Sequence, residues 1–186
     1  GSNESTEKPS AVSSDTAAKD SSPATTDAAG SRDNTPVVLT GSADGTVTYG
    51  NDSVTVDASH TEEGYLMVSY SGSNSKVKLQ ITGSDEITYT YNLHDGYETF
   101  PLTSGSGSYT VGVFENIEGT SYSTLFTQAI DVTIQDEFGP YLYANQYVNF
   151  SADSKVISKA MELSASANDD LEVIENVYNY IITNFT

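Results

Sequence analysis

The chain has 186 residues, a formal net charge of -19, no cysteine and 37% hydrophobic residues, below the roughly 45–50% usual for globular domains. Without cysteine there is no disulfide framework, thiolate metal site or cysteine nucleophile. Seven Lys and Arg against 26 Asp and Glu argue against nucleic-acid and anionic-membrane partners, since a field of that sign repels both.

Residues 1–36 hold one large apolar side chain, Val12, among Ser, Thr, Ala and Asp, with Pro9, Pro23 and Pro36 interspersed. Such a stretch cannot bury enough surface to offset the entropy of ordering it, so a disordered low-complexity tether is expected over 1–36. It lacks the charged start and apolar run of a signal peptide, and Gly1 with Ser2 reads as an expression scar. A leader of this composition suits the stalk of a bacterial lipoprotein whose lipid-bearing cysteine is missing from this chain; the plainer alternative is an unanchored tail. On the stalk reading the protein is extracellular, held at the cell surface, and meets the membrane only through that absent N-terminal anchor. No run of 18 apolar residues occurs, so no membrane-spanning helix is expected.

Residues 37–150 carry eleven of the thirteen tyrosines and five of the six phenylalanines, enough to build a core. With fourteen acids and two bases this stretch is also the acidic body, and keeping a surface protein in solution is the ordinary use of such charge. Strict alternation in residues 76–82 places Val77, Leu79 and Ile81 on one face and Lys76, Lys78, Gln80 and Thr82 on the other, the pattern of a half-buried strand. After the turn formers Gly83, Ser84 and Asp85, residues 86–93 repeat it, with Ile87, Tyr89, Tyr91 and Leu93 expected inward, so the pair reads as a hairpin. Further strands are expected at 46–50, 53–58, 64–70, 97–102, 107–115 and 122–134, divided by turn signals such as Gly50-Asn51-Asp52 and Gly105-Ser106-Gly107. In the last of them Leu125 falls on one parity and Phe126, Ile130, Val132 and Ile134 on the other, which requires a bulge or a change of sheet. Many short strands with no helical pattern between them point to an antiparallel β-sandwich. The run from Gly107 through Tyr109, Val111 and Val113 resembles the late strand of bacterial Ig-like domains, which supports the same fold.

Chemistry-bearing residues are sparse. His60 and His94 fall in predicted turns, where a solvated imidazole is the ordinary reading. The acid pairs Glu62-Glu63, Asp85-Glu86 and Asp136-Glu137 lack the alternating spacing of a calcium loop and read as solvated turn acids. Gly105-Ser106-Gly107 opens a strand and not a helix, so no phosphate loop is present. No cofactor, metal or catalytic residue is expected. Tyrosine is the one abundant feature suited to binding: Tyr122, Tyr141, Tyr143 and Tyr147 gather late in this region as possible ligand or interdomain contacts, with packing the first reading and a glycan platform the second.

After Phe150 the apolar period changes from 2 to 3.6. A helix is expected from about 153 to 166, capped by Ser151, with Val156, Ile157, Ala160, Met161 and Leu163 apolar. A second opens at Asn168-Asp169-Asp170, whose acids suit the positive end of the helix dipole. It then runs through Leu171, Ile174, Val177, Tyr178, Ile181, Ile182 and Phe185, a broad apolar face with no partner left in the chain. No Gly or Pro stop precedes Thr186, so residues 151–186 read as the two-helix start of a truncated domain.

The stretch Tyr143-Ala-Asn-Gln-Tyr-Val-Asn-Phe-Ser151, the helix after it, and Asp169 to Thr186 with its Val-Ile-Glu-Asn-Val-Tyr-Asn-Tyr-Ile-Ile run resemble the entry to the bacterial transglutaminase-like, papain-related domain over about 44 residues. The resemblance implies a cell-surface lipoprotein with an Ig-like β-sandwich over 37–150 and a C-terminal cysteine hydrolase or transferase, or a degenerate relative. The family's cysteine, histidine and aspartate would lie beyond Thr186, and that chemistry needs a thiolate with a nearby base. The chain is therefore expected to be a non-catalytic accessory or spacer region, with the downstream catalytic domain of the same polypeptide as its partner. The alternative is a stand-alone extracellular binding module that recognises cell-wall or host glycan, or a protein, through exposed tyrosines.

Overall fold

The computed structural model describes residues 30–185. The greater part of the expected 1–36 tether therefore lies outside the described residues. Eight strands follow in order: β1 (Thr48–Gly50), β2 (Val54–Asp57), β3 (Tyr65–Tyr70), β4 (Val77–Thr82), β5 (Thr88–Leu93), β6 (Gly96–Pro101), β7 (Gly107–Glu118) and β8 (Ser121–Val132), then helices α1 (Lys155–Ser164) and α2 (Asp170–Asn184). The strands form two four-stranded sheets, ordered β1-β2-β3-β6 and β5-β4-β7-β8, with every pairing antiparallel. The chain is thus mainly β, a two-sheet sandwich followed by two helices.

Alternation builds the core. Val54 and Val56 of β2, Leu66 and Val68 of β3, and Phe100 of β6 point inward from one sheet; Val77, Leu79, Ile81, Tyr109, Val111, Val113, Ile130 and Val132 meet them from the other, all at most 4% exposed. Burying each such side chain stabilises the fold by about 1.5–3 kcal/mol relative to leaving it exposed. Tyr109 crosses the core at the start of β7 and donates its hydroxyl to the Gly105 carbonyl, 2.8 Å away and four residues upstream. This is the tyrosine corner found at the equivalent bend of Ig-like sandwiches.

The change of parity in the last strand is a bulge. Val113 pairs with Phe126 and Phe114 with Thr124, so Leu125 is skipped and β8 remains in its sheet. The Leu125 carbonyl accepts instead from Asn51 Nδ2 at 3.1 Å, which ties β8 to the β1–β2 turn on this side of the sandwich. The expected inward run of β5 needs correction. Tyr91 and Leu93 are buried, but Ile87 is 50% and Tyr89 44% exposed. Strand β5 is the edge of its sheet, and its first half pairs with β4 (Ile81 with Tyr89, Thr82 with Thr88) without apolar cover on its inner side; sheet position overrides alternation there.

The described residues fall into two compact units, Asp33–Ser164 and a smaller one combining the described residues up to Arg32 with those from Ala165. In the first, α1 begins at Lys155. Its entry residue is Ser154, whose carbonyl accepts from Ser158 N at 3.2 Å. Ser151, expected as the cap, instead donates its N–H to Ser154 Oγ at 2.8 Å, because residues 151–154 form a turn before the helix. The Asn34 side chain holds the last turn of α1 through the Ser164 carbonyl at 2.6 Å. In the second unit Asp169 caps α2, accepting from Glu172 N at 2.9 Å. Here part of the expected tether is placed: Gly30 N–H donates to the Ala165 carbonyl at 3.0 Å, and Arg32 Nε sits 2.7 Å from Asp170 Oδ1.

Candidate functional site

The richest cluster of titratable groups lies in the Asp33–Ser164 unit, around the link between β2 and β3. Residues Thr61–Glu63 form a 3-10 turn closed by Gly64 at φ 91°, a left-handed conformation that suits glycine. A side chain at Gly64 would stand 2.5 Å from Pro140 Cγ, and one at Gly139 would stand 2.5 Å from the Glu63 carbonyl oxygen. Two glycines thus let the segment leaving β8 lie directly on this turn, where Gln135 N–H donates to the Glu62 carbonyl at 2.9 Å.

His60 enters the turn between two carboxylates. Its Nε2 is 2.9 Å from Asp44 Oδ2 and its Nδ1 2.9 Å from Glu63 Oε2, while the ring stacks on Tyr65 at 5.3 Å. Burial by itself would lower the His60 pKa, but the Asp44 hydrogen bond and the Glu63 charge outweigh it and hold it above the ordinary 6.5. Ser42 Oγ also lies 3.1 Å from Nε2. Serine, histidine and acid are therefore in contact, as they are in hydrolase triads. The electrostatics oppose that use, because a base must present a free ring nitrogen to its hydroxyl, and here both nitrogens face carboxylates that favour the doubly protonated ring. His60 is thus an ionic clasp and not the solvated imidazole expected from its place in a turn. Asp57 supports the same corner. Burial raises its pKa, but hydrogen bonds from the Ser59 hydroxyl, the Ser59 N–H and the Gly45 N–H, with the His60 charge, bring it below 3.8.

The four tyrosines singled out in the sequence do not share a surface. Tyr143 is half-buried against Tyr65, with ring centroids 4.4 Å apart, and its hydroxyl reaches Glu63 at 3.5 Å; it belongs to the clasp. Tyr141 is exposed beside a hollow of about 640 Å³ that it shares with Ser106, Gln135, Asp136 and Glu137. Tyr122 is half-buried beside Lys76, Lys78 and His94, in a hollow of about 380 Å³. Tyr147 stands 71% exposed over Tyr91, 5.9 Å between centroids.

That last contact is part of a strap. Residues 144–150 close the open side of the sandwich, where β5 faces β6 and Tyr91 meets Phe100 edge-on at 5.0 Å. Gln146 Nε2 donates to the Asn92 carbonyl of β5 at 3.0 Å and to Glu98 of β6 at 3.3 Å, bridging the two sheets. A groove of about 430 Å³ runs beside the strap, lined by Tyr97, Thr99, Asn145, Asn149 and Phe150 among others. Tyr97 and the strap amides belong to no motif that marks them in the sequence. The available signal was parity, since Tyr97 and Thr99 alternate with the inward Phe100 on β6 and so face out. Among the described residues no three His, Cys, Asp or Glu side chains are grouped to hold a metal ion, and no helix is long and apolar enough to cross a membrane.

The class that fold and geometry define is an antiparallel β-sandwich with a clasped corner and a strapped edge. In comparison with known proteins, the chain matches no family model and no curated sequence.

Proposed function

We propose that the chain is a non-catalytic accessory region of a cell-surface protein: the sandwich acts as a spacer, and α2 docks onto a transglutaminase-like domain of the same polypeptide. The observation that carries this reading is the outer face of α2. Leu171, Ile174, Tyr178 and Ile181 recur at alternating spacings of three and four, joined by Ile182, and all five are 49–71% exposed. That spacing is the seam with which one helix packs along another. Covering it removes apolar surface from water at about 25 cal/mol per Å², whereas exposed apolar patches on soluble proteins mark interaction surfaces. Val173, Val177 and Tyr180, on the neighbouring face, are half-buried, so the helix has one occupied side and one open side. The residues quoted for the transglutaminase-like resemblance include this helix, which supports the choice of partner. In this reading any thiolate chemistry belongs to that partner domain.

The test is reconstitution in trans, with the 186-residue chain and the downstream segment of its natural polypeptide produced separately and mixed. The expected result is a stable complex by analytical ultracentrifugation, lost in Ile174→Asp and Ile181→Asp, whose substituted positions are exposed and should leave the sandwich folded. A downstream segment that folds without affinity for α2 would overturn the reading.

A further inference from the structure

We infer that the groove beside the β6 edge is a binding site for a neutral saccharide, a function beyond the docking role of α2 and independent of it. Three features carry the inference. The first is aromatic: Tyr97, 48% exposed on the outward parity of β6, and the half-buried Phe150 both line the groove. The apolar face of a sugar ring packs on such surfaces while its hydroxyls stay free to hydrogen-bond.

The second feature is the polar lining, which is made of amides and hydroxyls. Asn145 spends its side-chain oxygen on the Tyr147 and Val148 N–H groups, at 3.0 and 3.1 Å. That fixes its orientation and leaves the NH2 as a donor with no partner among the described residues. The Asn149 amide likewise makes no side-chain hydrogen bond among the described residues. Thr99 donates its hydroxyl to Met67 Sδ at 3.1 Å and so retains its oxygen lone pairs as acceptors. Donors and acceptors that line the same groove as two aromatic side chains match vicinal hydroxyls, each of which both donates and accepts.

Charge is the third feature, and it selects against ionic ligands. In a chain of net charge -19, the one ionisable group lining the groove besides tyrosine is Glu98, and its carboxylate is engaged. It accepts from His94 N at 2.8 Å and Gln146 Nε2 at 3.3 Å, and lies 3.1 Å from His94 Nδ1. No Lys or Arg lines the groove to receive an anionic sugar or a phosphate. The strap is anchored to both sheets through Gln146, and the Asn145 amide is oriented by its own hydrogen bonds, so part of the ordering that opposes binding is already met.

The experiment titrates the intact 186-residue chain with N-acetylchitotetraose, cellotetraose and mannotetraose, with sialyllactose as the anionic comparison and decaproline as the peptide comparison. Binding is read by saturation-transfer NMR and by tyrosine fluorescence, which no tryptophan obscures. At least one neutral oligosaccharide should bind with a Kd of roughly 1 mM or tighter, and Tyr97→Ala and Asn149→Ala should each weaken it about tenfold. Tyr122→Ala and Tyr141→Ala should leave it unchanged, as both residues lie on other hollows. Unaltered thermal melting of the Tyr97 and Asn149 variants, whose side chains are exposed, shows that they fold. The inference is overturned if no neutral oligosaccharide binds at about 1 mM, if binding survives Tyr97→Ala, or if decaproline or sialyllactose is preferred. Failure here leaves the α2 reading standing, because the groove and the helix belong to different units.

Discussion

At the scale of single residues, the most informative side chain is His60. Asp44 and Glu63 face its two nitrogens, Asp57 acts on it through charge, and Ser42, Tyr65 and Tyr143 complete its surroundings. Because the folded pKa is raised, the clasp contributes its full stability below the unfolded value of 6.5 and loses it as pH rises through the folded value. Asp57 works in the opposite sense: its lowered pKa stabilises above 3.8, and that contribution is lost as pH falls through the folded value. Chemical denaturation of the chain and of His60→Gln between about pH 6 and pH 9 should therefore show a difference of about 1 kcal/mol at the acid end that shrinks toward zero at the alkaline end. A difference that stays constant with pH would mean that His60 acts only through packing. None of this was legible beforehand. Asp44, Asp57 and Glu63 are separated by turns, and a sequence carries no sign that two of them meet on one imidazole while the third lies within reach of its charge.

At the scale of elements, Tyr109 illustrates a strand and a corner that specify each other. Its ring fills the core while its hydroxyl takes up the Gly105 carbonyl of the preceding turn. Tyr109→Phe keeps the ring and strips that bond, so a loss of about 1–2 kcal/mol is expected in denaturant titration; an unchanged stability would show that water replaces the phenol freely. Strand positions were largely legible, because β4 and β7 lie inside their sheet and bury one face, which writes the period of two into the sequence. Edge strand β5 reads correctly from Tyr91 onward, and its first half follows the pattern without the burial. The parity break at Leu125 was readable as a bulge or a change of sheet; only the pairing with β7 decides for the bulge. Helix entry was harder, since Ser151 and Ser154 are equivalent by residue type and the turn between them selects Ser154.

At the scale of the whole molecule, the sequence and the structure agree on a β-sandwich with helices after it and differ on how its aromatic residues are deployed. Tyr122, Tyr141, Tyr143 and Tyr147 read from the sequence first as packing residues and second as a glycan platform. Folding sends Tyr143 to the clasp, Tyr147 to the strap and Tyr141 to a separate hollow, because the segment after β8 turns each side chain toward a different neighbour, while Tyr122 stays on β8 beside another hollow. The groove is not legible in the sequence for the converse reason, as Tyr97 and Asn149 are far apart in the chain and line one groove only when the strap lies beside β6. The unoccupied seam of α2, by contrast, was visible from its spacing alone, and it is the feature on which the proposed role depends. Hydrogen exchange addresses it most directly, by comparing α2 amides in the 186-residue chain with those in the natural polypeptide carrying its downstream segment. Protection of Leu171 to Phe185 should rise by about a hundredfold when the downstream domain is attached, the equivalent of roughly 2.7 kcal/mol, and Ile174→Asp should erase the gain. Equal exchange in the two polypeptides would contradict the account.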